Sequence, residues 1–580
     1  MTDNNSVKNF FSLSLIIMVK QRYLRRYIIA GLLPLVCCIS LPISAQSTNN
    51  ATPKIVNIIN FIRLLEPRDE AITEDVLFQT VVKQVEIMRK YKLPGTFLLQ
   101  YDALMDARYQ QLLKNLPADS FEIGGWWEIP QPLVEKAGYK WRGRYPWDWH
   151  ANVGFSTGYI PEEREKLVDV YMEDFKKIFG YYPKSFASWF IDAHTLNYMY
   201  EKYKIVASAN CKDQVGTDGY TLWGGYWNQA YYPSKVNSYM PAQTETNQTP
   251  VPVFRMLGSD PLRQYDDKGS GSNGQGVVTL EPVYRFGGGD SAWVHWYFKT
   301  FIEGQCMAYN YVQAGQENSF TWNAMEKGFE IQMPLIAQLS NEKKLKVETL
   351  AASGEWFKKQ YKLTPPTSVT VNDDLGDSNK KTVWFNSRFY RFNLLWDSNS
   401  TLRFRDIHLF DENFPSYYTE NVTTTNECAF YTLPFVDGYL WSTHGKTAAL
   451  RFKAMVNGKE IMIEGGSPVI KDDIAGKLFI EWPLKSFNAK MLMEVNEKQF
   501  TIKMEGAGSV DWFLELSAGD TTKLPFTKIT SKAIYCRFEK MNYHVKAEKG
   551  NFSRSPKDEV IRIKPEKNVL TLNFSERAGM

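Results

Sequence analysis

Cysteine and histidine are scarce, six of each in 580 residues, and that scarcity excludes several chemistries. Cys37 and Cys38 stand in an apolar N-terminal stretch, while Cys211, Cys306, Cys428 and Cys536 are far apart and show no Cys-x-x-Cys spacing. Neither a zinc knot nor a dense disulfide framework is expected, and these four read as buried thiols. No two histidines lie three or four residues apart, so no helical or loop metal pair is visible. No metal and no other cofactor is expected, and a serine nucleophile elbow is absent. Charge of one sign is never concentrated: 68 Lys plus Arg balance 64 Asp plus Glu, a net +4 without a long block. Nucleic acid has no electrostatic footprint to bind here. Past residue 45 no apolar run reaches the roughly 20 residues that span a bilayer, so no transmembrane segment is expected once the N-terminus is removed.

What is present begins with that N-terminus. Lys20, Arg22, Arg25 and Arg26 precede an apolar stretch from Ile28 to Ile43, and Ile43-Ser44-Ala45 precedes polar Gln46. Basic, apolar and small-residue parts in this order read as a secretory signal peptide over residues 1–45, cleaved after Ala45. Met18 is an alternative start to Met1, since it directly precedes the basic part. A lipid anchor would need a small residue before Cys37, where Val36 stands. The expected address is the periplasm or the outer surface.

At this length two or three domains are expected. From residue 55 to about 340 short apolar strands alternate with amphipathic helices, the pattern of a parallel sheet with helical crossovers. Ile55 to Leu65 is the first strand, and Leu77, Val81, Val85 and Met88 then recur at helical spacing. Pro94-Gly95 introduces the strand Thr96 to Tyr101, and Phe121 to Trp127 is the next. Pro161 opens a helix that Gly180 ends. Further strands are expected at Ser185 to Ile191, Ile205 to Asn210, Val251 to Leu257, Val277 to Glu281 and Met307 to Gln313. The count lies near seven or eight, enough to close a barrel. The barrel is placed at 46–340 and a helical linker at 341–365. From 366 to 580, period-two runs such as Lys477-Leu478-Phe479-Ile480-Glu481-Trp482 read as an all-β sandwich region, with a possible junction near residue 460.

In a parallel α/β barrel the reacting groups stand at the C-terminal ends of strands. Four acids occupy such places: Glu128, Asp192, Asp260 and Glu317. Two carboxyl groups across a glycosidic bond suffice for its hydrolysis, one protonating the leaving oxygen and the other attacking or activating water. Glu128 and Glu317 are the preferred pair. Asp192 before Ala193-His194-Thr195 and Asp260 before Pro261 read equally well as helix caps. Gly287-Gly288-Gly289-Asp290 reads as a tight turn with a capping Asp before an anion site.

Tryptophan is abundant: 17 in all, 11 of them before residue 340. Trp126 and Trp127 sit beside Glu128, and Trp149 and His150 share a ten-residue stretch with Arg142, Arg144 and Asp148. Trp223, Trp227 and Trp322 follow. Sugar rings need flat apolar faces together with hydrogen-bonding partners, so these residues, with Arg63 at the end of the first strand, are the expected substrate contacts. Packing under the loops is the competing fate of each single tryptophan.

The segments Pro94-Gly95-Thr96-Phe97-Leu98-Leu99, Phe121-Glu122-Ile123-Gly124-Gly125, Phe179-Gly180-Tyr181-Tyr182-Pro183-Lys184-Ser185-Phe186 and Asn197 to Ile205 carry a resemblance. In their order the chain resembles the glycoside hydrolase/polysaccharide deacetylase superfamily, which implies an α/β fold with a distorted (β/α)7-type barrel. The whole chain is also similar to a family of exported Bacteroidetes proteins with a C-terminal β-sandwich, a likeness that implies no activity. Deacetylases of the superfamily hold a metal with an Asp and a His-x-x-x-His pair. Here the first strand runs into Arg63-Leu64-Leu65-Glu66, and Gly125-Trp126-Trp127-Glu128 contains no histidine. The departure turns the expectation toward the metal-independent hydrolases of the superfamily. In these a Glu near the fourth strand is the nucleophile and a later Asp the acid, so Glu128 matches loosely and Glu317 differs in type.

Three functions follow. The first is an exported glycoside hydrolase acting on a carbohydrate substrate with paired carboxylates. The second is a divergent carbohydrate esterase or deacetylase with a metal site rebuilt from Asp192, His194 and His150. The third is a glycan-binding protein on the same scaffold, where the tryptophans matter and the acids are incidental.

Overall fold

A computed structural model describes residues 52–263, 278–376, 378–474, 476–506, 508, 510–520, 522–555 and 560–577. The expected signal peptide, with Met18, Cys37 and Cys38, lies outside the described residues.

Strand β1 (Lys54–Ile62) reads Lys-Ile-Val-Asn-Ile-Ile-Asn-Phe-Ile and is buried at every residue but the first. A strand buried on both faces belongs to a parallel sheet covered on both sides. The helix that follows, α1 (Glu74–Tyr91), starts where Val76 N–H donates to Thr73 Oγ1 at 3.3 Å, with Glu74 and Asp75 at its positive end. It buries Leu77, Val81, Val85 and Met88, the face read from the spacing.

The cycle continues through β2 (Gly95–Leu99), β3 (Phe121–Trp126), α2 (Pro161–Phe179), β4 (Ser185–Ala187), α3 (Ala193–Tyr203), β5 (Ala207–Asn210), β6 (Val253–Arg255), α4 (Ser291–Glu303), β7 (Asn310–Ala314) and α5 (Trp322–Asn341). The seven strands lie side by side in the order β7-β1-β2-β3-β4-β5-β6, every neighbouring pair parallel. This is a nearly closed barrel sheet. Its seam is spanned by other bonds: Ala230 N–H donates to the Tyr309 hydroxyl at 3.0 Å, and Leu257 N–H donates to Gln313 Oε1 at 2.8 Å. The strand expected at Val277 to Glu281 is reduced to an isolated bridge between Thr279 and Ser259, with residue 277 outside the described part. Within 341–365 the chain forms β8 (Lys346–Glu348), parallel to β1, and α6 (Leu350–Gln360).

Beyond residue 366 the strands pair antiparallel, except Cys428–Tyr431, which runs parallel to Tyr220–Trp223. A ten-stranded and an eight-stranded sheet form a β-sandwich. Lys477–Pro483 alternates between partly exposed and buried positions until Pro483. Between the sheets Phe404 stacks on Phe500 with ring centres 5.1 Å apart. The ten-stranded sheet takes Ala449–Val456 and Lys459–Met462 together with Asp511–Ser517 and Ile561–Lys564, so it draws on chain from both sides of residue 460.

Barrel and sandwich belong to one compact unit, Thr52–Met580. A buried ionic network ties them. Asp213, just past β5, receives Arg255 from β6 at 2.9 Å and Arg391 from Tyr390–Trp396 at 2.6 Å. Arg391 also grips Asp406 at 2.9 and 2.8 Å, and the Tyr239 hydroxyl donates to Asp213 at 2.6 Å. Cys211, Cys306, Cys428 and Cys536 are free and buried. Among the described residues no helix is long and apolar enough to cross a membrane.

Candidate active site

Parallel strands all end on one face, so residues remote in sequence meet there. Arg63 follows β1, Gln100 and Asp102 follow β2, Glu128 lies two residues past β3, and Glu317 lies three past β7. Glycines make this approach possible. A Cβ on Gly125 would sit 2.2 Å from the Phe186 ring, so β3 can lie this close to β4 only without a side chain there. Gly315, with φ of +91°, would place a Cβ 2.4 Å from Ile59 O; the turn that carries Glu317 over β1 needs glycine.

Arg63 is the centre of the group. Its Nε donates to Glu128 Oε2 at 2.8 Å and its Nη2 to Glu128 Oε1 at 2.7 Å. Its Nη1 faces Glu317 Oε2 at 3.0 Å. Gln100 Nε2 adds a bond to Glu128 Oε2 at 3.0 Å, and Ser319 Oγ donates to Glu317 Oε1 at 2.7 Å. The backbone of Arg63 is clamped by Asn318, whose Oδ1 accepts from Arg63 N–H at 2.9 Å and whose Nδ2 donates to Arg63 O at 2.8 Å. Asp102 accepts from Ala103 N–H at 2.7 Å through Oδ1, while its buried Oδ2 has no hydrogen-bond partner.

The electrostatics separate these acids. Burial, reinforced by the Glu128 charge and opposed by Arg63, pushes the Glu317 carboxyl up to about 7. Burial, with Glu128 nearby, pushes Asp102 up to about 7 as well. Burial works against the Arg63 charge, but Glu128 and Glu317 outweigh it and hold its pKa well above the ordinary value. Glu66 is buried too, yet Arg68 and Arg63 keep its carboxyl below the usual range.

Toward solvent the group is roofed by aromatic and cationic side chains. Arg63 lies 5.2 Å from the centre of the Trp147 ring. Arg68 holds Glu66 at 2.7 and 2.6 Å and lies 5.2 Å from the Trp149 ring, which Arg144 also approaches at 4.6 Å. Tyr145 stacks on Trp149, and His150 stands edge-on to it.

Other expected residues lie elsewhere. Asp192 caps α3 through Thr195 N–H at 3.0 Å and pairs with buried Arg164 at 2.8 Å. Asp260 accepts from Leu262 N–H at 2.8 Å and Trp293 Nε1 at 3.0 Å, the bonds of a structural turn. Asp290 caps α4 by accepting from Trp293 N–H at 2.8 Å. The expectation that Trp126 and Trp127 face substrate is corrected: both are fully buried. Trp126 stacks on Phe61 at 4.0 Å, and Trp127 packs edge-on against Tyr171 and Phe186, because the β3 end is covered on both sides. Trp223 and Trp227 are buried under the sandwich, one donating to Asp437 at 2.8 Å and the other stacked on Trp384 at 4.3 Å. Trp322 packs on Phe329 along α5. Sequence reasoning missed Gln100, Asp102, Glu66, Arg68 and Ser319. The expected strand runs on to Tyr101 and so takes in Gln100; the polar residues Gln100 and Asp102 on either side of Tyr101 are the available signal that it ends at Leu99.

The residues proposed for a rebuilt metal site do not fit a metal. Asp192 is committed to Arg164 and Thr195, His194 Nε2 meets Glu165 at 3.0 Å, and His150 packs on Trp149. Among the described residues no group of three or more His, Cys, Asp or Glu could hold a metal ion.

No family model and no curated protein matches the chain. Among solved structures, the chain is similar to a putative glycoside hydrolase/deacetylase from Parabacteroides distasonis at 16% identity, covering 66% of this chain and 90% of that one, with a TM-score of 0.49. A putative polysaccharide deacetylase from Mycobacterium smegmatis matches at 13% identity over 55% of this chain and 94% of that one, TM-score 0.32. A 4-alpha-glucanotransferase from Thermococcus litoralis matches at 9% identity over 90% and 100%, TM-score 0.30.

Proposed function

We propose that this chain is an exported glycoside hydrolase in which Glu317 is the proton donor. One observation carries the reading: Glu317, at the end of β7, has its carboxyl raised to about 7 while one guanidinium joins it to Glu128. An acid poised near neutrality can give its proton to a leaving oxygen and take one back.

Arg63 and Gln100 hold Glu128 in one orientation, and Arg63 meets Glu317 through its remaining nitrogen. Entry of a sugar displaces Arg63 from Glu317, the contact made by a single nitrogen. Glu128 then supplies the fixed carboxylate for water activation or attack. Export rests on the basic, apolar and small-residue order of residues 20–45.

A second reading is favoured by a separate observation. Both Glu128 oxygens are bonded and its side chain is fully buried, as suits a glycan-binding protein on a non-catalytic barrel. The Glu317→Gln variant decides: loss of turnover with glycan binding intact supports hydrolysis, whereas binding by a wild type that turns over none of a panel of polysaccharides supports the second reading.

A further inference from the structure

An open cleft lies beside the roof of the Arg63 group. Gln214–Thr217 and Tyr220–Trp223, from the chain after β5, form a three-stranded sheet with Cys428–Tyr431. With the loop at 417–427 they enclose about 460 Å³. Thr221, Tyr417, Thr424, Thr425, Glu427 and Tyr431 are among its walls. Tyr417 is 59% exposed, and buried Tyr418 stands edge-on to it at 5.3 Å. A tyrosine ring left this wet inside a concave surface offers a flat face to a ligand.

The wall that carries Tyr417 is fastened by buried Arg164 of helix α2 and by the loop before it. Arg164, fully buried and paired with Asp192, donates to Tyr418 O at 2.6 Å through Nη1 and to Asn421 O at 3.1 Å through Nη2. Thr423 N–H donates to Thr157 O at 2.8 Å, and Asn152 Nδ2 donates to Thr424 O at 3.3 Å. A buried ion pair contributes little net stability, so two of its bonds spent on one surface loop are explained by the geometry that the loop presents. A turn beside the cleft also touches the roof over the Glu317 group. Asp218, in the turn between Gln214–Thr217 and Tyr220–Trp223, pairs with Arg68 at 3.5 Å, and Arg68 holds Glu66 in the roof over Arg63.

We infer that this cleft binds an uncharged stretch of glycan chain and leads it toward the Glu317 group. The Tyr417 ring receives the C–H face of a sugar, and the Thr424 and Thr425 hydroxyls and the Glu427 carboxylate meet its hydroxyls. Among the described residues of the lining, Glu427 is the one charged side chain. A uronic acid or sulfated sugar would meet repulsion there and no cation. The direction of the bound chain rests on the hydrolase reading; the binding itself does not.

The test is affinity electrophoresis of the full chain in native gels cast with starch, xylan or galactomannan, or with polygalacturonate. Retardation is expected in at least one neutral gel and not in polygalacturonate. Tyr417→Ala should weaken it by about tenfold, the loss expected for one stacked ring, and Tyr417→Phe should keep it. No retardation in any neutral gel, equal retardation in polygalacturonate, or an unchanged Tyr417→Ala variant overturns the inference. The two readings fail separately. Tyr417-dependent retardation without turnover defeats the hydrolase and leaves the cleft. Turnover that Glu317→Gln abolishes, with KM for the polymer and retardation both untouched in Tyr417→Ala, defeats the cleft alone.

Discussion

Arg63 closes on Glu128 with two nitrogens, Nε at 2.8 Å and Nη2 at 2.7 Å, and gives its third, Nη1, to Glu317 at 3.0 Å. Glu128 therefore bears on the state of Glu317, through its own charge and through the shared cation. Glu128 takes the bidentate contact and leaves Glu317, desolvated and only singly paired, as the group that titrates near neutrality.

The pH dependence of turnover follows. A proton donor must be protonated, so kcat/KM should fall as pH rises through about 7, the value to which burial lifts Glu317. The pH–rate profile reads this limb directly. Glu317→Gln should lower kcat by about a hundredfold or more, the usual contribution of a positioned acid, and a variant with wild-type turnover would remove Glu317 from the chemistry.

Glu128→Gln acts on both stability and the proton donor. Removing one member of a buried pair costs about 3–5 kcal/mol, so the midpoint of denaturant unfolding should drop clearly. With Glu128 neutral, a charge that raises the Glu317 pKa is gone and Arg63 is shared only between Glu317 and the more distant Glu66. Both changes lower that pKa, so the descending limb of any residual activity should move to lower pH. A limb that stays in place would show that the two carboxyls are not coupled.

Much of this fold is legible in sequence because burial on both faces writes long apolar strands, and α1 shows its buried face at helical spacing. The strand ends are legible for the same reason, which is how Glu128 and Glu317 can be named from residues 189 positions apart in the chain. The fate of the tryptophans is not. Whether Trp126 faces a cleft or stacks on Phe61 depends on what the neighbouring strand brings to that level, and nothing local to Gly125-Trp126-Trp127 encodes it. Glycines before a tryptophan suggest room for a ligand, whereas Gly125 makes room for Phe186. Arg63 shows the limit most plainly: its role depends on two partners that follow β3 and β7, which only the closed sheet brings together.

Asp102 gives a prediction on stability alone. Its carboxyl is raised to about 7 by burial and by Glu128. An unfolded Asp titrates near 4, so between about 4 and 7 the folded chain binds a proton that the unfolded chain has lost. This stabilising contribution is complete below the unfolded value and disappears as pH rises through the folded one. Asp102→Asn stays neutral at every pH and still accepts from Ala103 N–H, so its thermal midpoint should match wild type at pH 4 and exceed it at pH 8. The margin should be a few kcal/mol at most, about 1.4 kcal/mol for each pH unit that separates the folded and unfolded values. Equal midpoints at pH 8 would show that Asp102 ionises freely in the folded protein.

Arg391 tests the joint between barrel and sandwich. It reaches Asp406 on its own sheet and Asp213 past β5, and Asp213 is held below the usual carboxylate range because Arg391 and Arg255 outweigh its burial. A depressed carboxyl stabilises the folded state above its unfolded pKa and loses that contribution as pH falls through the folded value, so the joint should weaken below about pH 4. Arg391→Met leaves two buried aspartates short of a cation, at a cost of about 3–5 kcal/mol. Asp213 keeps Arg255 and Tyr239 on the barrel side, so the damage falls on the contact between the two parts. Scanning calorimetry should then resolve two transitions where the wild type shows one, and the low-pH destabilisation should shrink in the variant without vanishing, because Arg255 and Tyr239 still hold the Asp213 carboxyl down. A single transition at the wild-type midpoint would mean that the apolar contacts carry the joint and that the network is incidental to it.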